Sequence, residues 1–346
     1  MKRAWLYIAC WISILGMLVA VWPAMAQNPL RTTQDARRAR VEAALAWLHT
    51  QQQPDGSFGT AWGITADVVY VIGLYAQTYN VPAEHPAGLH WTRNGRSALD
   101  ALAETAAQVV ASGDAGYIAK VTRAAVMAGA DPRNFGGVDL IAALRGTYDA
   151  TTGRFHSGNN FRQALAIQAL YLAGEPIPPL AIQSLLNDQR PNGGWGWPYQ
   201  GEAVDVDTTG LVVATLVLAG VSPTDLRLQR ALAYLRSTQN SDGGWGMDKG
   251  RLSNANSTAL ALLGLIALRE NPQAPPYTGY TNQGQWRDPL SALLRFQAPD
   301  GGFRWTETYP GTRVLATTDA LPVLMLPWPG DHPLTLRTYL PNVQQP

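Results

Sequence analysis

Gln189-Arg-Pro-Asn-Gly193-Gly194-Trp195 is followed downstream by Gln239-Asn-Ser-Asp-Gly243-Gly244-Trp245 and then by Gln297-Ala-Pro-Asp-Gly301-Gly302-Phe303. Gln52-Gln-Pro-Asp-Gly56-Ser57-Phe58 is a fourth copy and Asp149-Ala-Thr-Thr-Gly153-Arg154-Phe155 a weaker fifth, the aromatic always six positions after the first residue. The physical reading is a helix that stops near the Gln, turns through an Asp or Asn and a Gly where positive φ is cheap, and folds its aromatic back over the helix end. A recurring turn of this kind sets the architecture of the whole chain.

The segment before each turn is amphipathic. Residues 37–51 place Val41, Ala44, Leu45 and Leu48 on one face, and residues 224–238 do the same with Leu228, Leu232 and Leu235. The segment after each turn is apolar nearly all round, as in residues 211–220 and 259–268, and such a helix has to be enclosed. The alternation predicts outer helices near 35–51, 96–110, 137–146, 178–188, 224–238 and 287–297. It predicts inner helices near 65–79, 115–129, 160–173, 207–219, 256–269 and 316–326. If neighbouring inner helices stand about 10 Å apart, removing helix bodies about 5 Å in radius leaves a lumen roughly 10 Å across. Gly210, Ala214 and Gly264 either open a pocket there or let helices approach closely.

Of 346 residues, 46% are hydrophobic and only 15% charged, with a net charge of +1; an average soluble domain has about 25% charged residues. This balance lacks the basic face that nucleic-acid binding needs. Met1-Lys2-Arg3, an apolar run over residues 4–22 and the Ala24-Met25-Ala26 pattern read as an export signal of 26 residues. Its removal leaves Gln27 as the new N-terminus and turns the net charge to −1. Left uncleaved, the run is long enough to anchor the chain in a membrane, the one lipid contact expected. Cys10 lies inside it, so the exported chain has no cysteine. The expected organisation is a signal peptide (1–26), a toroid (27–328) and a Pro-rich tail (329–346), with the protein extracellular, periplasmic or at the cell surface.

The alternating helices and the Gln-x-x-x-Gly-Gly-Trp turns resemble the prenyltransferase and squalene-oxidase repeat, whose members form an all-α toroid of six inner and six outer helices. That resemblance covers roughly residues 35–326 and implies the fold, while the fold alone leaves the function open. Relatives of that type include squalene and hopene cyclases, protein prenyltransferases, cobalamin carriers and complement-type thioester domains. Prenyltransferases need a zinc site with a Cys thiolate and His. The exported chain has no Cys, and His49, His85, His90, His156 and His332 show no ligand spacing. Thioester domains need a Cys as well. Magnesium-assisted ionisation of a diphosphate needs clustered Asp, and no two acidic residues are adjacent here. No metal and no cofactor is expected.

Squalene and hopene cyclases protonate an alkene with the middle Asp of an Asp-x-Asp-Asp motif, and Asp205-Val206-Asp207-Thr208-Thr209 resembles that motif with Thr208 in place of its last Asp. Asp207 reads as a helix N-cap, where the helix N-terminus favours the carboxylate over the acid. The next repeat has Asn254-Ala255-Asn256-Ser257-Thr258 at the same place, which fits a shared capping role. The segments 207–219 and 256–269 contain no aromatic residue for a cation to face, although Trp62, Tyr70, Tyr75, Tyr117, Phe161 and Tyr171 offer one aromatic wall elsewhere. Cyclases of this type also carry a second helical domain and act at the inner face of the membrane.

Residues 131–137 and 159–165 resemble exported bacterial proteins whose toroid is similar to that of cobalamin carriers. Those carriers clamp ligand against a β-domain, which this sequence lacks, so a partner protein would complete the site. The expectation is therefore a non-catalytic exported toroid that binds an apolar or amphipathic small molecule, peptide or glycan. Asp205, Asp207, Asn254, Asn256, Asn160 and Thr317 would supply polar contacts at the rim where inner helices begin, with Trp62 and Tyr117 as aromatic contacts. The alternatives are a divergent squalene/hopene-type cyclase using Asp207 with Asp205, a carbohydrate-processing toroid, and a structural scaffold. The carbohydrate reading needs two of Asp67, Asp205, Asp207 and Asp319 about 5–5.5 or 6.5–9.5 Å apart.

Overall fold

Each recurring turn ends one helix, starts the next and fastens both to a neighbouring repeat. The Gln189 side-chain amide donates to Gly193 O and to Arg227 O, both at 2.7 Å, so one residue closes its own turn and holds the next outer helix. Gln239 does the same with Gly243 O at 3.0 Å and Tyr277 O at 3.1 Å. Gln297 donates to Gly301 O at 2.8 Å and to Arg40 O at 2.9 Å, fastening the last turn to the first helix of the chain. Gly301 has φ +97°, and a Cβ there would lie 2.3 Å from Ala43 O, so both its conformation and its closeness to the first helix of the chain require glycine. The turn aromatics are enclosed: Trp195 and Trp245 are fully buried and donate their indole N–H to Leu185 O at 2.7 Å and Leu235 O at 2.8 Å. Their backbone N–H groups donate to Thr209 and Thr258 on the inner helices, as Phe58 and Phe303 donate to Thr65 and Thr317.

The fold is a computed structural model that describes residues 29–81, 91–155 and 158–329. In chain order its helices are α1 (Pro29–Gln51), α2 (Trp62–Tyr79), α3 (Ala98–Ala111), α4 (Ala115–Met127), α5 (Leu140–Gly146) and α6 (Asn160–Leu172). They continue as α7 (Pro179–Asn187), α8 (Val206–Leu218), α9 (Leu226–Thr238), α10 (Ala255–Ala267), α11 (Pro289–Leu294) and α12 (Arg313–Met325). Three antiparallel ribbons, with pairings such as Thr92 to Ser97, Tyr148 to Phe155 and Tyr280 to Trp286, decorate the connections. The export signal, residues 330–346 of the tail, and His85, His90, His156 and His332 lie outside the described residues.

The even-numbered helices form the inner ring and the odd-numbered ones surround it. Each inner helix packs on the next, and α12 closes on α2. This is the all-α toroid of six inner and six outer helices that the turns predict. Gly210 and Gly264 serve close approach and not the pocket: a Cβ at Gly210 would stand 2.0 Å from Leu260 O, and one at Gly264 would stand 3.1 Å from Gly210 Cα. Ala214 does face the lumen.

Candidate active site

The inner helices run parallel, so their beginnings gather at one end of the ring and their ends at the other. Between them lies a cavity of about 470 Å³. Its walls are mainly aliphatic, Leu211 and Ala214 from α8 and Leu260 and Leu263 from α10 among them, with Tyr70, Phe161 and Tyr171 as the aromatic side. Asp67, Lys120, Arg123 and Asp319 supply charge, and the cavity continues to Arg269 and Pro327 where the inner helices stop.

The repeat register orders the polar groups. Asp67 and Asp319 follow by two residues the Thr65 and Thr317 that hold turn aromatics, while Asp207 and Asn256 precede by two the equivalent Thr209 and Thr258. Two levels of polar side chains result, about one helical turn apart. Lys120 Nζ lies 2.5 Å from Asp67 Oδ2, bridging α4 and α2. Asn256 Nδ2 donates to Asp319 Oδ2 at 2.6 Å, bridging α10 and α12. The Arg123 guanidinium lies 4.2 Å from the centre of the Tyr70 ring, and its Nε has no hydrogen-bond partner among the described residues.

The two acids of the Asp205-Val206-Asp207 motif do different work. Asp205 is the N-cap of α8: its carboxylate accepts from Thr208 N at 2.6 Å and from Trp197 N at 2.9 Å. Asp207 lies two residues further on, within the first turn of the helix and one turn before the cavity residue Leu211. Its Oδ1 has no hydrogen-bond partner among the described residues. The expectation that Asp207 caps the helix is therefore corrected by two residues, and the inference about its proton changes with it. Burial pushes the Asp207 carboxyl up to about 7; the Ser257 hydroxyl opposes this, and the charges of Asp205, Asp319 and Asp248 add to it. A helix N-terminus favours a carboxylate by only about 0.3–1 kcal/mol, whereas a rise from 3.8 to about 7 corresponds to roughly 4 kcal/mol. Desolvation prevails. Asp319 is likewise pushed up to about 6 by burial, opposed by the Asn256 amide. Thr208, in the place of the last motif Asp, is fully buried.

The other expected site residues are placed as follows. Asn254 caps α10, accepting from Ser257 N at 2.9 Å and donating to Ser257 Oγ at 3.0 Å. Asn160 is fully buried, its amide donating to Asp188 Oδ2 at 2.5 Å and Gly196 O at 2.9 Å, so it fastens a loop and does not face the cavity. Thr317 is fully buried and occupied by Phe303 N and Arg313 O. Trp62 and Tyr117 meet edge to face, 5.9 Å between centres, at the rim beyond the cavity, where Trp62 also borders a separate polar recess. Tyr75 turns outward to Glu42 on α1. Of the expected rim residues, Asp207 and Asn256 lie in the first turns of α8 and α10, whereas Asp67 and Asp319, expected only as carboxylate candidates, line the cavity one turn deeper, and the sequence reading passes over Lys120 and Arg123. The available signal was a pair of basic residues three apart on an otherwise apolar inner helix.

Comparison with known proteins sharpens the reading. Residues 168–288 match the squalene-hopene cyclase C-terminal domain and residues 18–76 the prenyltransferase alpha-alpha toroid domain. The chain is 34% identical to the drimenyl diphosphate synthase of Streptomyces showdoensis over 142 residues, which is 39% of this chain and 24% of that protein. It is 33% identical to the squalene–hopene cyclase of Zymomonas mobilis over 111 residues, 28% of this chain and 16% of that one. It therefore spans a quarter or less of the curated relatives it matches. The type II terpene cyclase MstE from Scytonema superposes with a TM-score of 0.58 at 14% identity, covering 84% of this chain and 98% of that chain.

These relatives overturn the expectation of a non-catalytic binding protein, because they are terpenoid synthases and cyclases, and the segment that matches the squalene-hopene cyclase C-terminal domain includes the Asp205–Asp207 motif. The closed ring and its repeat turns make this chain an α/α toroid, similar over residues 168–288 to the squalene-hopene cyclase C-terminal domain and over residues 18–76 to the prenyltransferase toroid domain.

Proposed function

We propose that the protein is a proton-initiated isoprenoid cyclase in which Asp207 is the acid. The observation that carries this reading is a buried carboxyl one helical turn from the cavity residue Leu211, pushed up to about 7, whose Oδ1 has no hydrogen-bond partner among the described residues. Protonating an unactivated alkene requires a carboxylic acid that keeps its proton near neutral pH and surroundings that exclude water. Asp207 transfers its proton to one carbon of a terminal double bond, leaving a tertiary cation on the other. The next double bond attacks that cation and closes a ring. Loss of a proton from the final cation gives a product isomeric with the substrate, and Asp207 regains its proton before the next turnover. Phe161 and Tyr171 line the cavity and supply aromatic rings near the moving positive charge, while the Tyr70 ring already holds Arg123. Asp319, held by Asn256, places a second carboxyl one turn deeper.

The relatives support this reading, as does the Scytonema cyclase in complex with geranylgeranyl dihydroxybenzoate. The test is turnover of polyprenyl substrates followed by gas chromatography and mass spectrometry. Cyclic isomers should form with the native chain and not with Asp207→Asn. A folded native protein that leaves every such substrate unchanged removes the proposal. The leader supports export, and N-terminal sequencing of the purified native protein should begin at Gln27.

A further inference from the structure

One charged side chain inside the lumen is left over when the others are matched. Lys120 meets Asp67, and Asp319 is held by the Asn256 amide. Arg123 lines the same cavity, yet no carboxylate among the described residues comes within salt-bridge distance of it. Its Nε is enclosed without a hydrogen-bond partner, and its terminal nitrogens donate to nothing among the described residues either. The centre of the Tyr70 ring, 4.2 Å from the guanidinium carbon, steadies the charge and leaves the N–H donors unused.

The repeat register fixes what surrounds Arg123. Phe155 N donates to Gln163 on α6 as Phe58 N donates to Thr65 on α2, so Gln163 stands where the other inner helices have Thr. Five residues further along their helices come Tyr70, Gln168, Ala214, Leu263 and Pro322, all lining the cavity. Arg123 belongs to this level, because it lies against Tyr70 and follows by one turn the Lys120 that meets Asp67. The Gln168 amide nitrogen is occupied by Thr215 Oγ1 at 2.7 Å, and Ala214, Leu263 and Pro322 bring no polar side chain. Arg123 therefore holds the free nitrogen donors of this level. Four residues nearer the mouth, Leu74, Leu172, Leu218 and Leu326 make the wall apolar.

A guanidinium with unpaired N–H groups recognises an oxyanion, since two donors meet two oxygens and the charges cancel. Between aliphatic walls that attraction is screened far less than in water. A hydroxyl head offers one oxygen and no charge. We infer that Arg123 forms an oxyanion subsite inside the lumen, which takes the carboxylate or phosphate head of an amphiphilic ligand whose apolar part lies along the aliphatic walls. This goes beyond the cyclase reading, because it concerns the head group that the lumen recognises and its test needs no turnover.

Dodecanoate, dodecyl phosphate and dodecanol share one chain and differ in the head. Their dissociation constants are measured by isothermal titration calorimetry at pH 8, below micelle-forming concentrations, with the native protein, Arg123→Gln and Arg123→Lys. The native protein should bind at least one of the two anions about tenfold more tightly than dodecanol, and the tighter anion names the head. In Arg123→Gln that preference should vanish, with dodecanol affinity within twofold of native and an unchanged circular-dichroism spectrum. Arg123→Lys keeps the charge without the fork and should bind the anion more tightly than Arg123→Gln. Binding of none of the three, or of dodecanol as tightly as both anions, would overturn the inference. So would anion affinity undiminished in Arg123→Gln, or equally weak in the Lys and Gln variants, either of which would reduce Arg123 to a distant counter-charge that opposes the rise of the Asp319 carboxyl. Cyclisation of polyprenyl substrates by a protein without the anion preference would remove this inference and sustain the cyclase reading. Anion preference in a protein that turns over no such substrate would do the reverse.

Discussion

Asp205 at the head of α8 and Asn254 at the head of α10 occupy the same place in successive repeats and do the same thing. Each accepts a hydrogen bond from the backbone N–H three residues on, Thr208 in one case and Ser257 in the other. Two residues further, the repeats part. Asn256 can only hydrogen-bond, and it donates to Asp319; Asp207 can carry a proton, and its Oδ1 has no hydrogen-bond partner among the described residues. A capping position tolerates either Asp or Asn because it needs only an acceptor oxygen. The second position does not interchange in this way, since an amide cannot deliver a proton to an alkene. Asp205 thus serves the fold, and on the proposed cyclase reading Asp207 is left for the chemistry.

Replacing Asp207 by Asn makes α8 like α10 at that position and should have the largest effect: turnover falls by about 10²–10⁴, while the circular-dichroism spectrum is unchanged. If the variant cyclises at the native rate, the distinction between the two repeats fails. Activity should next follow the proton of Asp207. Turnover is greatest below pH 7 and declines above it as the carboxyl, pushed up to about 7, ionises, by about tenfold per pH unit. A profile flat from pH 5 to 9 would move the acid elsewhere.

The same group carries a stability signature. Asp207 binds its proton more tightly folded than unfolded, so its contribution is fully present below its ordinary value of 3.8 and is lost as pH rises through about 7. The melting temperature of the native protein should therefore fall relative to Asp207→Asn between pH 4 and 7, by about 2–4 °C for each kcal/mol. Equal melting curves across that range would contradict the burial argued here. The smallest effects belong to the cap. Asp205→Ala should cost about 0.5–2 kcal/mol of stability, measured by urea unfolding, and Asp205→Asn much less, since Asn254 already does that job. If Asp205→Asn is as damaging as Asp207→Asn, the two acids are not separable.

Much of this molecule is legible in the sequence, and the reasons differ by level. All the inner helices lie within a few residues of where the apolar segments predict them, because an enclosed helix cannot hide its composition. The toroid follows from the turns. The site is harder to read. An Asp-x-Asp run offers two candidates for one cap, and only the backbone angles at Asp205 decide which residue is outside the helix. Thr317 looks like a rim ligand until the recurring bond from a turn aromatic to an inner-helix Thr is seen at Thr65, Thr209 and Thr258. Asn160 misleads for a related reason: its polarity serves Asp188, a residue 28 positions away. Lys120 and Asp67 come from different helices, and nothing local announces that they meet.

The hydrogen bond from Gln297 to Arg40 joins residues 257 positions apart. An open array of helical repeats frays from its first and last units and can lose them one at a time. A ring held shut in this way has no first or last unit to fray, so every repeat has neighbours on both sides. Its folding, however, waits on the last turn to be made, and a chain interrupted before Gln297 leaves α1 without the contact that closes the circle. A circular permutant that joins the old ends and opens between two other repeats should, by the same logic, keep the lumen intact.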